Sequence, residues 1–344
     1  MPTSAVDCIR PAFDHAKQQL FQPFRMSQWV RLAFVGVLAG ELTSGGCSGS
    51  RSFRSSQSGG HAANLPHIDP GKLGQYVGLI VLAVLAAFVL FFVLLYVSSV
   101  FRFILFESVV RKKCSIGQAW DRWQAPGRRY FLWQIVFQIA FGIVFAIMLG
   151  GPVGFAAAAG WLLHWREHLV LLVLGGIALF FCVLSLVLVA AVIHVMAKDF
   201  LVPVMALENL DFAEGWNRVL DIASREKGSF AIYILLKVGL ALAAAVLFGI
   251  ISVIVSVIVL IPAGIIGVAA VMMAKSAGMG WNVFTITAAI VAASIVLAIL
   301  LYLMSLVSVP AIVFFPAYSI YFFSSRYPGL AQMLYSPAPI VEAT

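Results

Sequence analysis

Between Lys275 and Arg326 the chain carries no Asp, Glu, Lys, Arg or His: positions 276–325 are filled mainly by Val, Ile, Leu, Ala and Phe. A water-soluble core has no use for such a run. The hydrocarbon slab of a bilayer is about 30 Å thick and takes about 20 apolar residues per helical crossing. The feature therefore points to a multi-pass membrane protein. Composition agrees: 62% of the residues are hydrophobic and 10% are charged, against about 25% charged in a soluble domain. No polar stretch of the 344 residues is long enough to fold as a separate soluble domain, so 1–344 reads as one integral membrane domain. The first 25 residues are polar and lack the marks of a cleaved secretory signal.

Uncharged length defines five crossings: Tyr76 to Phe101, Tyr130 to Ala156, Leu169 to Met196, Phe230 to Leu260, and Ile286 to Leu306. The Phe230 run is too long for a perpendicular helix and must tilt, or bend near Pro262-Ala263-Gly264. A weaker crossing spans Met26 to Thr43, with Arg31 near one end and Glu41 near the other; a long basic side chain there reaches the headgroups. Six crossings place both termini on one side. Sixteen of the 22 Lys and Arg fall on that side, five on the other, and Lys237 inside a crossing. By the positive-inside rule both termini are cytosolic. The expected location is the cytoplasmic membrane. Cys8 and Cys114 then lie in the cytosol, Cys182 in the membrane and Cys47 outside, so no disulfide is expected.

A short amphipathic motif recurs on the cytosolic side. One copy reads Ser115-Ile116-Gly117-Gln118-Ala119-Trp120-Asp121-Arg122-Trp123, and another, 96 residues on, reads Asp211-Phe212-Ala213-Glu214-Gly215-Trp216-Asn217-Arg218-Val219. Each opens like a capping box and sets Ile116, Trp120 and Trp123, or Phe212, Trp216 and Val219, on one helical stripe. A degenerate copy, offset by 107, keeps Ile9, Ala12, Phe13 and Asp14, with Cys8 at the cap position. Each copy precedes a crossing. The expected fold is an all-α membrane protein with six transmembrane helices and short cytosolic amphipathic helices. Three parallel pseudo-repeats follow, about 1–106, 107–207 and 208–325, related about an axis along the membrane normal. Val202-Pro203 and Val309-Pro310 mark corresponding places in two return crossings. The Gly/Ser-rich segment 44–71 reads as a flexible outside loop and 329–344 as a cytosolic tail.

Candidate docking residues at the membrane surface or for a partner are Phe13, Trp120, Trp123 and Trp216, together with the basic residues Arg111, Lys112, Lys113, Arg128 and Arg129. Indoles suit the headgroup region. Juxtamembrane basic clusters attract anionic headgroups at about 1 kcal/mol per charge. The same residues also fit packing against the bundle's own helix ends, and orientation alone demands the charges. The basic balance follows topology, so no nucleic-acid partner is expected.

His164-Trp165-Arg166-Glu167-His168 matches the inverted zinc-protease pattern, but it lies in a short turn with no domain around it to form a cleft. His61, His67, His164 and His168 all fall outside and, with Asp69 and Glu167, have the donor types of an exposed metal or proton-sensing cluster. No nucleophile with its base, P-loop or dinucleotide fingerprint is present, and no cofactor or enzymatic activity is expected. No Asp or Glu falls well inside a crossing. Lys237 and His194 are the only ionisable groups at depth, and Lys237 is expected to snorkel.

Ala12-Phe13-Asp14 with Pro23-Phe24-Arg25, Phe106-Glu107-Ser108 with Ala119-Trp120-Asp121-Arg122, Pro203-Val204-Met205-Ala206-Leu207 with Gly215-Trp216-Asn217-Arg218, and Ser324-Ser325-Arg326-Tyr327-Pro328 carry a resemblance over nearly the whole chain. The chain resembles a prokaryotic family of uncharacterised multi-pass proteins related to the membrane domain of some glycerophosphodiester phosphodiesterases. The resemblance implies a six-helix membrane domain with a lipid-processing enzyme as partner. The catalytic barrel is absent, so no catalytic residue is carried over. The leading expectation is a non-enzymatic scaffold or lipid-associated partner. A transporter or channel subunit is the alternative and would need a polar path through Gln134, Gln138, Ser185 and Asn282. A lipid enzyme would need Glu107, Asp121, Glu208 and Asp211 to converge; their plainer roles are capping and pairing with nearby Arg.

Overall fold

The computed structural model describes residues 3–41, 70–161, 166, 168–278 and 282–335. The described residues form helices and no strand. In order these are α1 (Ile9–Phe21), α2 (Met26–Leu38), α3 (Pro70–Val110), α4 (Ile116–Ala158), α5 (Leu169–Met196), a π-helical segment (Ala197–Leu201), α6 (Val202–Glu208), α7 (Phe212–Arg225), α8 (Lys227–Ser276), α9 (Val283–Val307), α10 (Val309–Ser324) and α11 (Pro328–Tyr335). Helix is the expected answer to lipid as solvent, because it satisfies every backbone donor and acceptor within one segment.

Five stretches are long and apolar enough to cross a membrane: Val77–Val110, Ile116–Ala158, Leu169–Glu208, Lys227–Ser276 and Phe284–Ser324. Their outward surface is greasy. No residue of α5 is buried by other protein groups, and Val170, Leu174 and Phe180 are each at least 60% exposed. Water would not tolerate such a surface; acyl chains do. The expected sixth crossing is not matched in length. α2 has 13 residues, about 20 Å at 1.5 Å per residue, short of the slab. It ends at Leu38, followed by Gly40 in the left-handed region (φ 79°), and residues 42–69 lie outside the described set. By length and composition the count among the described residues is five.

Two further expectations change. The surface helix and crossing of the middle copy are one object: α4 runs 43 residues through Pro126 and Pro152. α7 and α8, by contrast, are separated at Glu226. α8 continues for 50 residues with Pro262 inside it. At about 75 Å it exceeds the slab. Of the expected tail, Pro328–Tyr335 is helical and the rest lies outside the described residues.

Both Val-Pro pairs mark helix discontinuities. Pro203 lacks an N–H and its ring crowds the carbonyl of residue 199; the chain meets this with the π segment just before α6. Pro310 follows the break between α9 and α10 at Ser308.

The chain divides into two compact units. Unit 1 is Met1–Arg25, Arg102–Val238 and Val313–Thr344; unit 2 is Met26–Phe101 and Gly239–Ile312. In unit 1, Tyr130, Tyr233, Tyr318, Phe103, Phe200, Phe322 and Phe323 are fully buried. In unit 2, α2 packs on α9, and Phe34 meets Phe101 edge-on at 5.9 Å. Gly36 there permits a close approach: a Cβ would sit 2.5 Å from Ile312 Cγ2. Unit 2 also holds an apolar cleft of about 1020 Å³ between α8 and α9, lined by small residues such as Ala263, Gly267, Ala270 and Ala292.

Candidate functional site

The most constrained group in unit 1 is a buried acid–base pair. Lys237 of α8 forms an ion pair with Asp199 Oδ2 in the π segment. Tyr233, one turn before Lys237, donates its hydroxyl to the same oxygen at 2.9 Å. The Asp199 and Lys237 side chains are 4% and 11% exposed. Aromatic rings close around them: Phe200 packs against Phe230, Tyr233, Phe322 and Phe323, and Tyr233 stacks on Tyr318 (5.1 Å) and Phe322 (4.5 Å). One expectation is corrected here. Lys237 does not snorkel; its ammonium is held by protein. Its partner Asp199 lies just past the expected crossing end at Met196, within the apolar stretch Leu169–Glu208. Sequence reading missed it because Asp199 follows Lys198 and resembles a helix end, whereas the π segment carries the helix on. The available signals were Val202-Pro203 and the Tyr233/Lys237 spacing of four. His194, the other group expected at depth, stands in the last turn of α5.

A second set of polar contacts joins the helix ends. Glu107, in the last turn of α3, accepts from Arg111 Nε (3.1 Å) and Arg122 Nη1 (2.6 Å) on Oε1, and from the Trp123 indole N–H (2.5 Å) on Oε2. Glu208, at the end of α6, pairs with Arg218 at 3.8 Å and accepts the Tyr327 hydroxyl. His15 of α1 is buried; its Nε2 donates to the Val109 carbonyl (2.9 Å), which leaves Nδ1 to accept from Tyr321 (3.2 Å). Beside it the Gln19 amide donates to Ser108 O at 3.0 Å. Arg326, 3% exposed at its side chain, pairs with Glu226 (2.9 Å) and lies over Phe322. Burial holds the His15 imidazole below its ordinary pKa, reinforced by Lys112 and opposed by the Val109 bond. Burial, then the bond to Glu208, raises the Tyr327 phenol. Burial also pushes the Cys8 thiol up.

The predicted docking residues are dispersed among these contacts. Trp123 is committed to Glu107 and stacks on Phe103 at 5.8 Å. Trp216 stacks on Phe212, which stacks on Trp133 at 4.9 Å. Trp120 is half-buried and Phe13 is 61% exposed. Arg111 pairs with Glu107, Lys112 donates to Gln18 (2.9 Å), and Arg129 meets Asp211 (3.1 Å) and the Asn209 carbonyl (2.9 Å). Lys113 and Arg128 are exposed and enter no ion pair among the described residues. Arg111 and Lys113 share one pocket with Arg122; Phe13, Trp216, Arg128 and Arg129 do not line it.

The capping boxes do not form. Ser115 and Asp211 sit at N-cap positions with extended backbone, yet neither side chain caps. The Asp211 carboxylate is drawn to Arg129 instead. Cys8, at the cap of α1, makes no cap bond either. The four acids expected for a lipid enzyme take local partners: Glu107, Glu208 and Asp211 pair with Arg, and Asp121 accepts from Gln124 at 3.5 Å. Of the residues proposed for a transport path, Gln134 is buried, Gln138 and Ser185 are exposed, and Asn282 caps α9. Ser185 bonds back to the Cys182 carbonyl.

His61, His67, Asp69, His164 and Glu167 lie outside the described residues, as do Cys47 and 44–69 of the Gly/Ser-rich loop. His168 sits at the N-cap position of α5 without a side-chain cap bond, its ring 5.7 Å from Trp161. Among the described residues no three His, Cys, Asp or Glu are grouped to hold a metal ion.

A family model covers residues 3–333, spanning every helix above except the last two residues of α11. The chain belongs to DUF7544, a family of unknown function. No curated protein and no solved structure matches it. The DUF7544 match covers both units and carries no link to a glycerophosphodiester phosphodiesterase.

Proposed function

We propose that this DUF7544 protein is a non-enzymatic, lipid-associated scaffold of the prokaryotic cytoplasmic membrane. In this reading it has six crossings in three pseudo-equivalent units and both termini in the cytosol. One observation carries it. The seventh helical residue of each amphipathic copy makes a polar contact with the end of a long apolar helix: His15 with Val109, Arg122 with Glu107, Arg218 with Glu208. The fourth residue of each copy is small and buried: Ala12, Ala119 and Gly215. α1, α4 and α7 also begin at the aligned residues Ile9, Ile116 and Phe212. Lys112 and Asn209, just ahead of α4 and α7, both adopt positive φ (53° and 51°), the usual way to end a helix tightly. Such regularity favours a folding device over a reaction centre. In this reading α2 belongs to the sixth crossing.

The scaffold's partner in this reading is a lipid-processing enzyme. Reporter fusions test the reading. A fusion after Thr344 is expected to be active only in the cytosol, and one inserted at Ser58 only outside. Activity of the Thr344 fusion outside the cell overturns the layout.

A second reading, a transporter subunit, is favoured by the Asp199–Lys237 pair inside a span, because membrane-embedded charges commonly serve ion coupling. Proteoliposomes with an internal pH dye distinguish the two. A proton flux that Asp199→Asn abolishes in a folded protein supports the transporter; no flux from the wild type supports the scaffold.

A further inference from the structure

The loop between α3 and α4 holds a pocket of about 250 Å³ whose lining includes Glu107, Ser108, Arg111, Lys113, Ser115 and Arg122. We propose that it binds the phosphate of an anionic phospholipid headgroup. The claim rests on the reading of this chain as membrane-embedded and names the partner of one of its surfaces.

The charge balance is the first argument. Three cations face one carboxylate, a net of +2. The repulsion between Glu107 and an anion is offset by the guanidinium groups of Arg111 and Arg122 on its Oε1, and its Oε2 accepts from Trp123. At 10% side-chain exposure it acts as a clamp that aims two guanidinium groups. Arg111 spends only Nε on it and Arg122 only Nη1, so each keeps further N–H donors in the fork that suits phosphate. Both side chains are 53% exposed, open to a ligand. Lys113 lines the pocket without an ion-pair partner among the described residues.

The start of α4 adds to these cations. Ser115 makes no side-chain cap bond, so its hydroxyl and the first-turn N–H groups are available to an anion. Gly117 has nothing within 4 Å of where a Cβ would lie, so the helix start is open. Depth selects a lipid over a soluble phosphate. The pocket begins at the last turn of the Val77–Val110 span and continues into the first turn of Ile116–Ala158. It lies between the expected crossing ends Phe101 and Tyr130, on the cytosolic flank that anionic headgroups face in the proposed layout.

The test uses the full chain in nanodiscs of phosphatidylcholine with a minority of phosphatidylglycerol, reading retained phosphatidylglycerol by native mass spectrometry. Lys113→Glu removes a charge-assisted contact to the phosphate and is expected to weaken retention about thirtyfold. Arg128→Glu is the same charge change outside the pocket and acts only through the surface potential, with a loss of about fivefold or less expected. Equal losses, or no loss with Lys113→Glu, overturn the pocket. Circular dichroism checks folding; if Lys113→Glu is misfolded, Lys113→Gln and Arg128→Gln replace the pair, with about a tenfold loss expected of the first and about twofold or less of the second. Inorganic phosphate is titrated in detergent beside phosphatidylglycerol. Tighter binding of free phosphate overturns the lipid assignment while leaving an anion site. The Thr344 reporter tests the membrane layout separately, so the two failures are distinguishable.

Discussion

Unit 1 and unit 2 bury different things. Unit 1 encloses an ion pair, seven fully buried aromatic rings and a series of carboxylate–arginine contacts. Unit 2 has its buried apolar residues in α2 and near helix ends, including Leu32, Val35, Val100, Phe101 and Ile312, while Val246, Ile258, Ile265 and Met273 of α8 are at least 60% exposed. Unit 1 is held by side-chain contacts around its helix ends, while its α5 and most of unit 2 are left for lipid to solvate. Where side chains make the core, each partner matters; where lipid does, hydropathy matters and identity does not.

The largest effect is expected at Asp199. Asp199→Ala leaves the Lys237 ammonium buried without its partner and should destabilise the fold by about 3–5 kcal/mol, read by thermal unfolding in detergent. Asp199→Ala with Lys237→Met removes both charges and should recover most of that loss. A double variant as unstable as the single one would mean that the ion pair does not hold this region.

Next is the tightest point of unit 2. Gly36→Ala drives a methyl to 2.5 Å from Ile312 and should cost about 1–3 kcal/mol. A neutral result would extend lipid-like tolerance to α2.

The pH response comes third. His15 has a folded-state pKa below its unfolded value, so the unfolded chain takes up its proton first as pH falls. Stability is level above about pH 6.5 and declines below it until the folded imidazole also protonates. His15→Gln should flatten that decline in a pH series of unfolding midpoints.

The smallest effect belongs to α8. Ile258 is 65% exposed, and Ile258→Ala should stay within about 0.5 kcal/mol. A large loss there would show that a second protein surface covers unit 2.

Membrane class and the long helices were legible because a charge-free run has one physical explanation at these lengths. What depended on three-dimensional partners was not. Asp199 and Lys237 are 38 positions apart, and no local pattern joins them. The capping boxes were legible but do not form; at Asp211 the competitor is Arg129, distant in sequence. How far the Met26 run extends was not legible either: low charge does not locate the end of a helix, and among the described residues α2 covers Met26–Leu38. Glu107 and Glu208 were legible as partners for nearby Arg; which Arg each meets was not. His15 escaped notice because a single buried histidine has no spacing signal of its own.

The unbroken course of α4 has a mechanical consequence. Its 43 residues make a rod of about 64 Å, so a tilt of about 5° pivoting at Ile116 swings Ala158 sideways by about 6 Å. A small rotation at the near end becomes a wide displacement at the far one.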